Sequence, residues 1–119
     1  MSVVEEKIKN LLLGIPATIC IGELPSAPAN AIAIMLYSGA GNSEYFAFGT
    51  VCTPVVKIVI RNQSYEQAQQ HIEDIKKALH RHHDAFFLSI FMQGYPTYLG
   101  KDAQKLHEFQ IVFNIKVKE

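Results

Sequence analysis

The chain has 119 residues, of which 49% are hydrophobic and 18% charged, enough apolar material for one core and too little length for two domains. Eleven basic residues balance eleven acidic ones, so the basic excess that a nucleic-acid binder uses against phosphate is missing. Cys20 and Cys52 stand alone in apolar runs, a pattern for buried free thiols rather than a secreted disulfide scaffold.

Ser2 with Glu5 forms a capping box, and Val4, Ile8, Leu11 and Leu12 follow at helical spacing. Gly14 and Pro16 then supply stop signals, so the spacing predicts an amphipathic helix over 3–13. The charges at Glu5, Glu6, Lys7 and Lys9 leave no apolar core for a signal peptide, and no apolar stretch reaches membrane-spanning length. The chain reads as intracellular and reduced.

Residues 17–22 are a short β-branched strand, and Pro25, Ser26, Pro28 and Asn30 make a loop. The run 31–37 is apolar throughout and reads as a strand buried on both faces. Gly39-Ala40-Gly41 lacks the spacing of a phosphate loop or a dinucleotide fingerprint and reads as a hairpin loop before the strand-like Tyr45-Phe46-Ala47-Phe48.

Residues 55–61 alternate, with Val56, Ile58 and Ile60 on one face and Lys57 and Arg61 on the other. Ser64 with Gln67 forms a second capping box. The stripe Tyr65, Ala68, Ile72, Ile75 and Leu79 predicts a helix over 65–81 packed on a sheet, with a right-handed crossover to the next strand. Residues 85–92 form an aromatic-rich strand, with Phe86, Leu88, Ile90 and Met92 on one face and Phe87, Ser89 and Phe91 on the other. Residues 95–102 read as a proline- and glycine-punctuated loop. The alternation through 109–117 marks a strand with one buried face. The expected fold class is α+β: one domain over 1–119, a single mixed, largely antiparallel sheet packed against helices 3–13 and 65–81.

Candidate chemistry is sparse. His80-Arg81-His82-His83-Asp84 lacks the i,i+4 spacing of a helical metal site and lies where the helix should end, which favours capping of its exposed carbonyls. His71 reads as a boundary residue. No nucleophile elbow is present, and Glu73-Asp74 and Glu5-Glu6 are ordinary helix surface. No catalytic, cofactor-binding or metal-binding residues are therefore expected. The surplus is apolar: Tyr45, Phe46, Phe48, Phe87, Phe91, Tyr95 and Tyr98 are the candidate oligomer or partner contacts, since aromatic side chains are enriched at interfaces.

The run Lys57-Ile58-Val59-Ile60-Arg61, the helix opening Ser64-Tyr65-Glu66-Gln67-Ala68 and its continuation Ile72-Glu73-Asp74-Ile75-Lys76-Lys77-Ala78-Leu79 resemble bacteriophage minor capsid proteins of the tail-completion type. The turn Pro96-Thr97-Tyr98-Leu99-Gly100-Lys101-Asp102 and the closing strand 109–116 fit the same pattern. Such proteins are similar to tail terminators. The resemblance implies a virion protein assembled in the host bacterial cytoplasm as a homo-oligomeric ring, often hexameric. The ring would cap the tail tube and meet the head connector, with no cofactor, no nucleic-acid sequence recognition and no membrane. Two other readings compete with it: a small metal-dependent enzyme on His80, His82, His83 and Asp84, and a protein-interaction adaptor domain.

Overall fold

A computed structural model describes residues 3–26, 28–38, 43–46 and 49–118, and of residues 3, 37–38, 43–46, 49–52 and 118 the backbone alone. The element order is α1 (Val3–Leu11), β1 (Thr18–Ile21), β2 (Ala31–Ser38), β3 (Ser43–Phe46), β4 (Gly49–Cys52), β5 (Val55–Asn62), α2 (Tyr65–Leu79), β6 (Phe87–Met92), β7 (Thr97–Lys101) and β8 (His107–Lys118). Among the described residues these strands join in one open sheet, parallel only between β1 and β2. Both helices pack on one face, so the expected α+β architecture holds, with the helices ending at Leu11 and Leu79.

The longest strand, β8, organises the sheet. One of its edges carries β5 opposite residues 107–114 and then β4 opposite 117–118, with the Ile115 N–H donating to the Pro54 carbonyl between them. Its other edge carries β7 opposite 107–110 and β6 opposite 113–117. Strands β5 and β6 therefore run in the same direction with β8 between them, and α2 makes the crossover. Alternation places Val56, Ile58 and Ile60 of β5 and Phe109, Ile111, Phe113, Ile115 and Val117 of β8 against Ala68, Ile72, Ile75 and Leu79 of α2. Helix α1 adds Ile8, and the turn after it adds Leu12. Burying a side chain of this size contributes about 1.5–3 kcal/mol. Ser64 caps α2, its hydroxyl accepting from the Gln67 N–H at 3.2 Å. The other capping residue, Ser2, lies outside the described residues.

Several expectations are corrected. Residues 97–101 are a strand rather than loop. Pro96 stands just before it, where a missing donor costs nothing, and Gly100 at φ +97 absorbs a bulge at Leu99. In β6 the strict alternation breaks because the register shifts between Phe87 and Ser89. The extra residue, Leu88, turns outward, and Phe87 and Ile90 both reach the core. Gly39–Asn42 lie outside the described residues, but the strands flanking them, β2 and β3, do not pair with each other. Instead β2 pairs with β5 and β3 with β4.

The link from β1 to β2 is unusual. Adjacent parallel strands ordinarily need a crossover of about a dozen residues or more, and here residues 22–30 suffice. Arg61, 6% exposed on the sheet face away from the helices, makes the short path workable. Its Nε donates to the Ala29 carbonyl at 2.8 Å, and its Nη2 to those of Pro25 at 2.6 Å and Pro28 at 2.8 Å. Asn30 adds a clasp, its Oδ1 accepting from the Gln63 N–H.

Candidate assembly surface

The aromatic candidates separate into three environments. Phe87 is 1% exposed and belongs to the core, stacked edge-on against Phe86, whose ring carries the Lys7 ammonium 4.7 Å from its centroid. Tyr45 and Phe46 lie in β3, described by its backbone, and Phe48 lies outside the described residues. Phe91, Tyr95 and Tyr98 are 48%, 90% and 42% exposed, and they follow one another along the edge of the sheet formed by β6 and β7. Leu88 and Leu99 join them, each turned outward at a bulge. Alternation alone could not find those two, because a bulge is a break in the pattern by which faces are assigned.

This strip is built on a firm footing. Tyr98 packs against Phe109 at 4.9 Å and edge-on against Tyr65 of α2 at 5.4 Å, and its hydroxyl lies 2.9 Å from His107 Nδ1. Tyr95 and Pro96 border a shallow recess floored by Ile72 and Phe109, with Gln69 and Glu73 at its rim. Phe91 borders another with Val55, Ile115, Ser89, Asn114 and Lys116. Both recesses mix apolar floors with polar rims, the anatomy of a protein contact.

The His80–Asp84 segment straps the outer edge of β6. The Arg81 N–H donates to the Ile90 carbonyl at 2.6 Å, the Asp84 N–H to that of Phe87 at 2.9 Å, and the Met92 N–H to His80 Nδ1 at 3.0 Å. Arg81 adopts φ 68 to make this reversal, a conformation that costs a non-glycine residue about 1 kcal/mol. The His80 ring thus serves β6, while the end of α2 is closed by backbone donors of the same segment, the His80 N–H to the Lys76 carbonyl at 2.9 Å and the His82 N–H to that of Leu79 at 3.0 Å. Asp84 accepts from the N–H groups of Phe86 and Phe87, both at 2.8 Å, and pairs with His82 at 2.8 Å, so its carboxyl titrates at about 2. His82 and Asp84 have the distance of a catalytic acid–imidazole pair, but the partner such a pair activates is missing. No hydroxyl or thiol bonds His82 among the described residues, and none of their His, Cys, Asp and Glu side chains form a group of three able to hold a metal. His71, expected at a boundary, is 3% exposed with neither ring nitrogen hydrogen-bonded, and burial pushes its pKa down. Cys20 is a free, half-buried thiol. No described helix is long and apolar enough to cross a membrane.

A family model described as bacteriophage tail terminator protein matches residues 7–119, nearly the whole chain. The chain belongs to the bacteriophage tail terminator family. As a tail terminator it is a structural protein of the phage virion, assembling with other tail and head proteins. Among solved structures it is similar to a chain of the "Virion of native gene transfer agent (GTA) particle", with a TM-score of 0.68 at 10% identity over 99% of this chain and 100% of that one. At that identity the likeness is one of fold. No curated protein matches. An architectural family agrees with a molecule whose unusual features are an exposed aromatic strip and strapped or bare strand edges.

Proposed function

We propose that this tail terminator acts as a homo-oligomeric ring that caps the finished tail tube, offers the head connector its docking surface, and performs no catalysis. The carrying observation is the exposure of Phe91, Tyr95 and Tyr98 along β6 and β7, with Tyr98 held by Tyr65 and Phe109. A protein with zero formal net charge meets little self-repulsion as its copies approach. Family membership supports assembly with tail and head proteins; the tube and the connector are the partners proposed here, and assembly would take place in the host cytoplasm. Tyr45, Phe46 and Phe48 are a second set of contacts, suited to the tube or to a neighbouring copy.

Mass photometry of the purified chain, followed by electron microscopy of mixtures with tail tubes, tests the reading. The expected result is one closed oligomer seated on tube ends. A monomer up to high micromolar concentration that leaves tube ends bare would refute it.

A further inference from the structure

The sheet has bare edges on both sides. On one side β1 has no neighbour beyond β2, and on the other β7 has none beyond β8. Among the described residues no hydrogen bond joins the outer edge of either strand, whereas β6, next to β7, is covered by the 80–84 strap. A bare edge is a row of unpaired N–H and C=O groups, normally blunted by charge or proline. Strand β1 reads Thr-Ile-Cys-Ile and carries neither.

The two edges match. Following the register across the sheet, Thr18 lies opposite Ala31, then Arg61, Glu108 and Gly100. Cys20 in the same way leads through Ala33, Val59 and Gln110 to Thr97. So β1 and β7 stand at the same level on opposite sides of the sheet. Their lengths are four and five residues. Their directions are opposed, because β7 is antiparallel to β8, β8 to β5 and β5 to β2, while β1 is parallel to β2.

We infer that β1 of one copy pairs antiparallel with β7 of the next, continuing the sheet from subunit to subunit. Two different patches in contact make a head-to-tail interface, the kind that closes into rings. Copies related by rotation about an axis along the strands keep their level, so the two edges meet in register without either strand moving. The occupant is a second copy of this chain because one molecule supplies both halves of the contact, matched in length, level and polarity. This inference rests on the ring reading above and assigns its subunit contact.

The pairing places Cys20 opposite Thr97 of the neighbour. Facing side chains on antiparallel strands have Cβ atoms about 4.5–5.5 Å apart, close enough for a disulfide after small adjustments. In a Cys52→Ser background, Thr97→Cys treated with copper phenanthroline is expected to convert the monomer band on a non-reducing gel into a ladder that ends at the ring's subunit number. Adding Cys20→Ser should abolish the ladder. Placing the second cysteine on strapped β6, as Ser89→Cys, should give none. Slower amide exchange at residues 18–21 and 97–101 in the assembled form is the second expected readout. Rings of the right mass with neither the ladder nor the protection overturn this contact while leaving the ring reading intact, and so does a ladder that Ser89→Cys reproduces. A wild-type protein that stays monomeric overturns both.

Discussion

Replacing Arg61 tests whether a side chain on one strand holds the geometry of two others. Its guanidinium donates to three carbonyls between residues 25 and 29, at 2.6–2.8 Å, and is 6% exposed. Hydrogen bonds from a charged donor contribute about 1.5–3 kcal/mol each. Partial rehydration of the freed loop peptides brings three such bonds down to about 3–4 kcal/mol. Arg61→Met keeps most of the apolar stem and removes the bonds, so this figure is its expected loss. Arg61→Ala adds about 1 kcal/mol of lost stem packing. A chain of 119 residues loses about 4 °C of Tm per kcal/mol, which predicts a fall of about 12–16 °C for Arg61→Met. Arg61→Lys can satisfy one carbonyl and should lose about half as much. Urea titrations with a fixed m-value, alongside limited proteolysis within residues 22–30, provide the measurement. An Arg61→Met protein within about 0.5 kcal/mol of wild type, with no new cleavage in that segment, would refute the argument that Arg61 makes the short parallel connection possible.

Three further outcomes follow from the same residues. His71 is neutral in the fold because burial lowers its pKa below 6.5, so the unfolded chain takes up the proton first and stability falls as pH drops below 6.5, by at most about 1.4 kcal/mol per unit. His71→Leu should flatten that slope in urea midpoints measured between pH 7.5 and 5, with no loss at pH 7.5. Asp84, its pKa lowered to about 2, contributes stability present above 3.8 and lost as pH falls towards 2. Because that carboxylate is part-exposed, Asp84→Ala should cost only about 1 kcal/mol at pH 7, and the mutant's deficit should shrink as pH falls from 3.8 through 2. Tyr95→Ala, at 90% exposure, should leave unfolding within about 0.5 kcal/mol of wild type, yet weaken assembly at least tenfold by mass photometry. Unchanged assembly would remove Tyr95 from the interface.

Periodicity made the long elements legible. The stripe from Ala68 to Leu79 and the alternation through Phe109–Val117 each bury one face continuously, so their faces were assigned correctly from spacing. Strand β7 was hidden because Pro96 and Gly100 are turn formers in most settings and here act at a strand entry and a bulge. Phe87 was assigned to the outer face because Leu88 breaks the period of two, and nothing in the local residue types announces the bulge. Of the candidate aromatic contacts, Phe91, Tyr95 and Tyr98 came out exposed and Phe87 did not. The parallel β1–β2 pair joins residues thirteen apart, and the carbonyl cage around Arg61 joins residues more than thirty apart, beyond the reach of local periodicity.

The position of β8 in chain order constrains how this sheet can form. It follows every strand it joins, and β5 and β4 on one side meet β6 and β7 on the other only through it. Until residues 107–118 have left the ribosome, the earlier strands present open edges and Phe87 and Ile90 lack the β8 residues they face. Sheet formation therefore waits on the last-made strand, with the loop-closure cost of long-range pairing. A nascent chain stalled before His107 is exposed to edge-to-edge association at strands that β8 covers in the finished subunit.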